Sequence, residues 1–163
     1  GPRDGLQNES TTLTSEQKRV FIFNLKKAGL KEIEAGAFVR SDKVPQMANT
    51  DEVARAFPDL WYLVPNLKGF ERAVSSGVKK IALFTAATET FNQKNIGMSI
   101  ADSFAAMEEV SAEAKKRKIL MRGYVSTVYG CPFEGPTPPK AALKVIERMA
   151  KLGVREVSIG DTI

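Results

Sequence analysis

Three segments of the chain share one pattern: an amphipathic stretch, then a glycine, then a run of apolar and β-branched residues. They lie at residues 28–34, 76–82 and 152–158. Glycine adopts at low cost the left-handed conformation that ends many helices. The pattern therefore predicts three helices that end at Gly29, Gly77 and Gly153, each followed at once by a buried strand.

The stretches between these segments predict further elements of both kinds. Residues 60–64 and 119–126 are strand candidates, and residues 100–116 carry apolar side chains at helical spacing. Strands that alternate with helices every 40 residues or so are typical of a parallel sheet, which occurs in βα barrels and in doubly wound folds.

The first predicted helix can be described in more detail. Ser15 is the expected N-cap, because a serine side chain can accept a hydrogen bond from the first helical turn. Phe21, Leu25 and Ala28 are apolar residues on one face of this helix.

The polar residues at the predicted strand ends help to choose between the two folds. The strands are expected to end at Glu34, Asn66, Thr85, Ser126 and Asp161. In a βα barrel all these positions lie on the rim that carries the active site. A doubly wound fold usually has a glycine-rich phosphate loop after a strand, and no such motif follows any strand here, which favours the barrel.

The length of the chain limits how much of a barrel it contains. We count five strands and the tail of one more before Arg3, whereas a full (β/α)8 TIM barrel needs about 250 residues. The expected fold is therefore α/β, a partial TIM barrel with about five βα units. Residues 1–163 would form part of a single TIM-barrel domain that is truncated at both ends.

Composition excludes several classes of function. The chain has no histidine and one cysteine, Cys131, which rules out a Ser-His-Asp triad, a histidine-ligated metal and an internal disulfide. The net charge of +5 suits an anionic small-molecule substrate. The densest basic run, at 115–118, lies at the end of a predicted helix, where positive charges interact favourably with the helix dipole. The dipole accounts for this run, and we expect no nucleic-acid partner. No apolar stretch approaches the roughly 20 residues of a membrane span, so no membrane partner is expected.

A series of motifs runs through the whole chain in a fixed order. The first is Gly-Pro-Arg-Asp-Gly-Leu-Gln-Asn-Glu at residues 1–9. The others lie at 33–39, 44–47, 65–70, 122–126, 130–135 and 160–163. Taken together, this set closely resembles the 3-hydroxy-3-methylglutaryl-CoA lyases. These belong to a wider superfamily of metal-dependent barrels, similar to the pyruvate carboxyltransferases, that make or break carbon–carbon bonds next to a carbonyl.

The resemblance implies an activity and a set of site residues. The full-length protein would cleave 3-hydroxy-3-methylglutaryl-CoA to acetyl-CoA and acetoacetate with Mg²⁺ or Mn²⁺, in leucine degradation and ketone body formation. The positions that match the family's site are Arg3 (catalytic and substrate-binding), Asp4 (metal), Glu34 (orienting), Asp161 (proton transfer), and Tyr124 and Ser126 (substrate contact). The resemblance gives no cofactor other than the metal.

Each of these residues also has a purely structural interpretation. Arg3 and Asp4 form a solvated ion pair in that interpretation, and Glu34 is an ordinary ion-pair partner. Asp161 would cap a following helix. Tyr124 and Ser126 would pack or form hydrogen bonds within the barrel.

Other residues of the family's site have no counterpart in this sequence. The family's functional cysteine lies in a glycine-rich loop that this chain does not reach, and Cys131 matches a different position, which we interpret as structural. The family's His-x-His metal pair is absent, because the chain has no histidine. The resemblance therefore implies that residues 1–163 are the N-terminal portion of a single TIM-barrel catalytic domain, and we expect the 163-residue chain alone to be inactive.

Two other functions and several partners stay open as expectations. One alternative is a related condensing enzyme, similar to isopropylmalate or homocitrate synthases; the other is a non-catalytic half-barrel that binds CoA thioesters. The expected partners are a CoA-thioester substrate and a second copy of the protein in a dimer. The expected compartment is the cytoplasm for a bacterial protein and the mitochondrial matrix for a eukaryotic one.

Overall fold

A computed structural model describes all residues from Gly1 to Ile163, and they divide into two compact units, Gly1–Ile81 and Ala82–Ile163. The first unit contains four helices, one 3₁₀ turn, two strands and the start of a third. In chain order these are α1 Asp4–Gln7, α2 Ser15–Lys27, β1 Glu34–Ala37, the 3₁₀ turn Pro45–Met47, α3 Thr50–Ala56, β2 Trp61–Leu63, α4 Leu67–Ser75 and β3 Lys80–Ala86.

The second unit contains three helices, four further strands and the rest of β3. In chain order these are α5 Glu89–Ile96, α6 Ile100–Lys116, β4 Leu120–Ser126, β5 Gly130–Cys131, β6 Gly135–Pro136, α7 Pro139–Lys151 and β7 Val157–Ile159. The predicted helix at 100–116 and the predicted strand at 119–126 are thereby confirmed.

The main sheet has five strands in the order β1-β2-β3-β4-β7. β1 runs parallel to β2, and β4 runs parallel to β7. Along the chain, each strand of this sheet lies next to the previous strand of the same sheet, with a helix in each connection, as in a βα barrel. A doubly wound sheet reverses its strand order instead. The partial α/β barrel predicted from the sequence is confirmed. β5 and β6 form a separate antiparallel hairpin between β4 and α7.

The three predicted glycine helix ends are present. Gly29, Gly77 and Gly153 have φ of 92°, 80° and 85°, and each directly follows the C-cap residue of α2, α4 or α7. At Gly77, the N–H donates to the carbonyl of Val74, and the next N–H donates to that of Ala73. These two bonds satisfy carbonyl groups that a helix end leaves open.

A fourth helix end has the same geometry with lysine in place of glycine. Lys118 follows α6 with φ of 57°, its N–H donates to the Lys115 carbonyl, and the N–H of Ile119 donates to the Ala114 carbonyl. This helix end lies between Gly77 and Gly153 along the chain. Because this helix end has lysine instead of glycine, the glycine pattern of the sequence does not mark the strand that follows it.

The start of α2 differs from the prediction. Thr14, not Ser15, is the N-cap: its hydroxyl accepts from the N–H of Gln17, and the Gln17 side chain accepts from the N–H of Thr14. The buried residues of this helix are Lys18 and Ile22, whereas Phe21 and Leu25 are half-buried and Ala28 is exposed.

The first strand also differs from the prediction. Glu34 is the first residue of β1 rather than its end, because the strand pairs with β2 from Glu34 to Ala37. Gly1–Pro2 leads into α1 without forming a strand, so the expected strand tail before Arg3 is not seen.

The core of the second unit shows how sequence sets strand burial. Alternate residues of β4, Met121, Gly123 and Val125, are buried. A Cβ on Gly123 would lie 2.5 Å from Cγ of Met149 on α7, so the close packing of that helix on β4 requires glycine there.

No helix in the structure combines the length and apolar character needed to cross a membrane.

Candidate functional site

Arg3 is held by a carboxylate from β1. Arg3 directly precedes α1, and its Nε donates a hydrogen bond to Oε1 of Glu34. Both side chains are largely buried, with 18% and 12% of their surfaces exposed. Charge-assisted bonds of this kind fix the plane of a guanidinium group. The expectation that Glu34 orients Arg3 has this contact in its favour, although Glu34 begins its strand.

Asp4 lies beside Arg3 but faces solvent. It is the first residue of α1, its Oδ1 lies 3.1 Å from Nη1 of Arg3, and its side chain is 77% exposed. The Asn8 side chain donates to the Asp4 carbonyl at 2.8 Å. The first unit thus brings Arg3, Asp4 and Glu34 together, with Arg3 between the two carboxylates.

A buried lysine that sequence reasoning missed holds the loops next to this group. Nζ of Lys18 on α2 donates to the Gln46 carbonyl and to Oδ1 of Asn49. Gln46 in turn donates to the Glu9 carbonyl at 2.7 Å, and Asn49 to the Leu13 carbonyl at 3.0 Å. These bonds anchor the segment that follows α1. The signal for Lys18 was its position four residues before the buried Ile22, on the same helix face.

The chain does not assemble a complete metal site by itself. No three Asp, Glu or Cys side chains lie close enough together to hold a metal ion, and the sequence contains no histidine. Glu34 is already bonded to Arg3. Asp4, with an exposed carboxylate, can supply one hard oxygen ligand of the kind that Mg²⁺ or Mn²⁺ accepts.

Three half-buried side chains share one face of β4. Arg122, Tyr124 and Ser126 alternate with the buried residues of the other face. The guanidinium carbon of Arg122 lies 5.2 Å from the Tyr124 ring centroid, and Nη1 lies 3.6 Å from Oε1 of Glu156. Arg122 was not among the predicted site residues. The alternation of residue types along this strand was the signal that could have identified it.

Asp161 lies two residues beyond β7, at the same strand end as Ser126. The Gly160 N–H donates to the Val125 carbonyl at 2.8 Å. A Cβ on Gly160 would lie 3.4 Å from Cα of Ser126, so the two backbones are in close contact. The Asp161 side chain is exposed. The second unit therefore places Ser126 and Asp161 together at the carboxyl ends of β4 and β7.

Cys131 is buried in the β5–β6 hairpin. Burial raises the pKa of its thiol, but hydrogen bonds from the Thr88 hydroxyl and from the N–H groups of Phe133 and Glu134 outweigh that effect and lower it. The Glu134 carboxylate accepts from the Thr90 N–H at 2.7 Å and so ties the hairpin to the start of α5.

Comparison with known proteins gives one consistent result. The HMGL-like family model matches residues 1–163. The chain is 47% identical over 168 aligned residues to the hydroxymethylglutaryl-CoA lyase of Pseudomonas mevalonii, covering 100% of this chain and 56% of that protein. It is 45% identical over 168 residues to the mitochondrial hydroxymethylglutaryl-CoA lyase of Macaca fascicularis, covering 100% and 52%.

A solved structure shows the same fold. The crystal structure of hydroxymethylglutaryl-CoA lyase from Pseudomonas aeruginosa superimposes with a TM-score of 0.95 at 44% sequence identity, covering 100% of this chain and 56% of that one. The chain spans about half the length of the curated relatives it matches. With a match to the family model along its entire length, the chain belongs to the HMGL-like family.

Proposed function

We propose that the protein containing this chain is a carbon–carbon lyase that cleaves 3-hydroxy-3-methylglutaryl-CoA to acetyl-CoA and acetoacetate. The observation that carries this proposal is the Arg3 guanidinium, held by Glu34 beside Asp4. Relatives that are about 45% identical bear the name of this activity. The product acetoacetate would place the reaction in leucine degradation and ketone body formation.

The reaction needs a base and a stabilised enolate. A base removes the proton of the tertiary hydroxyl group, and the bond between the carbinol carbon and the carbon next to the thioester breaks. The carbinol carbon becomes the ketone of acetoacetate, and the electron pair of the broken bond becomes the enolate of acetyl-CoA. A proton delivered to the enolate carbon completes the second product.

Arg3 is proposed to bind the oxygen on which the negative charge develops. A guanidinium has five N–H donors. Glu34 accepts from Nε and Asp4 lies at Nη1, so donors remain for a substrate oxygen. Because Glu34 fixes the guanidinium plane, this stabilisation requires little reorganisation as the charge forms.

Asp161, Ser126 and Tyr124 are proposed to act from the second unit. Asp161 is the candidate for proton transfer, since it carries an exposed carboxylate at a strand end. Ser126 and Tyr124 share a face of β4 and are proposed to contact the acyl group of the CoA thioester.

Asp4 is proposed as one oxygen ligand of a divalent cation, Mg²⁺ or Mn²⁺. A bound cation would polarise the substrate hydroxyl and carboxylate oxygens. The resemblance assigns further ligands to a His-x-His pair, which this sequence does not contain. The 163-residue chain alone is accordingly proposed to be inactive.

The resemblance to the lyase family also supports a proposal for the oligomeric state and the cellular compartment. We propose a homodimer, located in the cytoplasm of a bacterium or in the mitochondrial matrix of a eukaryote. Sedimentation of the full-length protein as a monomer would contradict the dimer.

The test is an assay of the full-length gene product with Mg²⁺ and 3-hydroxy-3-methylglutaryl-CoA. We expect acetyl-CoA and acetoacetate in equal amounts, and a loss of about 10²–10³-fold in rate for Arg3→Gln. Arg40→Gln is the matched control, because Arg40 is exposed and pairs only with the neighbouring Asp42; it should retain full activity.

Two results would overturn the proposal in favour of the alternatives. Condensation of acetyl-CoA with a 2-oxoacid, without thioester cleavage, would identify a synthase. Binding of the CoA thioester without turnover would identify a binding module. Cleavage at an ordinary enzymatic rate by the purified 163-residue chain would disprove its proposed inactivity.

A further inference from the structure

Thr127, the residue after β4, has an unusual backbone conformation. Its φ is 56°, in the left-handed region where a β-branched residue is a genuine outlier. Its side chain is fully buried. A residue persists in such a conformation only where the surrounding structure imposes it, and strained residues of this kind cluster at functional sites.

Four hydrogen bonds hold Thr127 in place. Its N–H donates to Oγ1 of Thr162 at 2.7 Å, and its carbonyl accepts from Oγ1 of Thr137 at 2.6 Å. Its hydroxyl donates to the Ser126 carbonyl at 2.7 Å. Its hydroxyl oxygen also lies 3.0 Å from Oγ1 of Thr88, a contact in which either hydroxyl can be the donor. Every polar group of Thr127 is therefore paired.

The same turn binds the residues on both sides of Asp161, Gly160 through its backbone and Thr162 through its side chain. Before Asp161, the Gly160 N–H donates to the Val125 carbonyl at 2.8 Å, and the Gly160 carbonyl accepts from the Val128 N–H at 3.2 Å. After Asp161, Thr162 accepts from Thr127. Asp161 is thus the exposed residue between two neighbours that the turn after β4 holds.

The positive φ of Thr127 is required for this arrangement. Rotation about the N–Cα bond of Thr127 moves the peptide group that follows it. That peptide group contains the carbonyl that Thr137 binds and the Val128 N–H that binds Gly160. A change to the ordinary negative φ would turn both groups away and break the bonds to the Thr137 hydroxyl and to the Gly160 carbonyl.

We propose that Thr127 is a positioning residue for Asp161. Its left-handed turn, locked by its hydroxyl, fixes the Gly160–Asp161–Thr162 backbone and so aims the Asp161 carboxylate for proton transfer. This inference rests on the proposed lyase function, because it assigns Asp161 a role in that reaction.

The test compares Thr127→Val and Thr127→Ser in the full-length enzyme. Valine retains the β-branched shape but removes the hydroxyl, so the bond to the Ser126 carbonyl and the contact with the Thr88 hydroxyl are lost. We expect kcat to fall about 10- to 100-fold while KM changes little, as for other residues that orient a catalytic group. Serine retains the hydroxyl and should restore kcat to near the wild-type value.

A second variant removes the hydrogen bond between Thr127 and Thr162 by changing Thr162 instead. Thr162 is exposed, so Thr162→Val removes the acceptor of the Thr127 N–H without disturbing the core. We expect a fall in kcat in the same direction. Hydrogen exchange provides a readout besides activity: in both valine variants the peptide covering 157–163 should exchange faster, and the peptide covering 100–116 should not change.

The outcomes separate this inference from the proposed function. Wild-type kcat in both valine variants overturns the inference, as does a fall in kcat with unchanged exchange at 157–163. An equal fall in kcat for the serine variant also overturns it, because the hydroxyl would then be irrelevant. An unmutated enzyme without lyase turnover overturns the proposed function itself, and the role of Asp161 with it.

Discussion

Arg3 donates from Nε to the carboxylate of Glu34, 31 positions further along the chain, and both side chains are largely buried. The first residue of β1 therefore determines where the guanidinium lies relative to Asp4. If the proposed function holds, Glu34 acts on the reaction through Arg3.

Glu34→Ala should lower kcat/KM of the full-length enzyme by about 10–100-fold, the usual effect of losing a group that orients a reacting residue. Glu34→Gln should lose less, because its amide oxygen can still accept from Nε of Arg3. Steady-state kinetics with 3-hydroxy-3-methylglutaryl-CoA would measure both effects. A wild-type rate in the alanine variant would contradict the role given to Glu34.

Asp42→Asn is the control for loss of a carboxylate. Asp42 pairs with Arg40 at 2.6 Å, but both side chains are more than half exposed. Exposed pairs contribute little, so this variant should have wild-type kinetics. An equal loss would mean that the Glu34 effect does not depend on the contact with Arg3.

The N-cap of α2 gives a prediction about stability. Thr14→Ala removes the hydroxyl that accepts from the Gln17 N–H and should lower the free energy of unfolding by about 1 kcal/mol. Ser15→Ala, one residue later and already inside the helix, should have little effect or a slightly stabilising one. Urea denaturation would measure the free energy of unfolding of both variants. If Ser15 were the cap, Ser15→Ala would be the less stable of the two.

Lys118 gives a prediction with the opposite sign. Its left-handed backbone is strained for lysine and free of strain for glycine, so Lys118→Gly should raise the free energy of unfolding by about 0.5–1 kcal/mol. Arg117, its neighbour, has an ordinary φ of −93°. Arg117→Gly should instead destabilise by about 0.5–1 kcal/mol, the entropic cost of glycine. Thermal unfolding of the pair measures the difference.

Features of the fold that depend on one residue type, such as glycine at a helix end, could be predicted from the sequence. Glycine identified the ends of α2, α4 and α7, because only glycine takes positive φ without strain. The end of α6 has the same geometry, but Lys118 gives no such mark. The position of Glu34 at the start of β1 could not be predicted from the sequence either. Pairing with β2, and not the local sequence pattern, determines where β1 begins.

The candidate site was predictable to a similar extent. The opening motif identified Arg3 and Asp4, and the structure places Glu34 against Arg3. Thr127 carries no signal of its role in the sequence, and the position of Lys18 on the helix face of Ile22 does not by itself predict its hydrogen bonds. A left-handed threonine and a buried lysine arise from tertiary hydrogen bonds that form only when distant segments meet.

Lys18 gives a prediction about pH. Its side chain is 2% exposed, and its ammonium group binds the Gln46 carbonyl and Oδ1 of Asn49. Lys18→Met retains the length of the side chain but leaves two buried acceptors without a donor. This variant should be less stable at neutral pH by about 1–3 kcal/mol.

The difference between wild type and Lys18→Met should increase with pH. Burial lowers the pKa of Lys18, so the unfolded chain holds this proton at pH values where the folded chain has lost it. Between the lowered pKa and the ordinary lysine value of about 10.4, the unfolding free energy of the wild type therefore rises with pH. Urea titrations across that range, with the exposed Lys27→Met as a control, would measure the slope. A difference that shrinks towards alkaline pH would mean that Lys18 is stabilised as an ammonium ion, contrary to the effect of its burial.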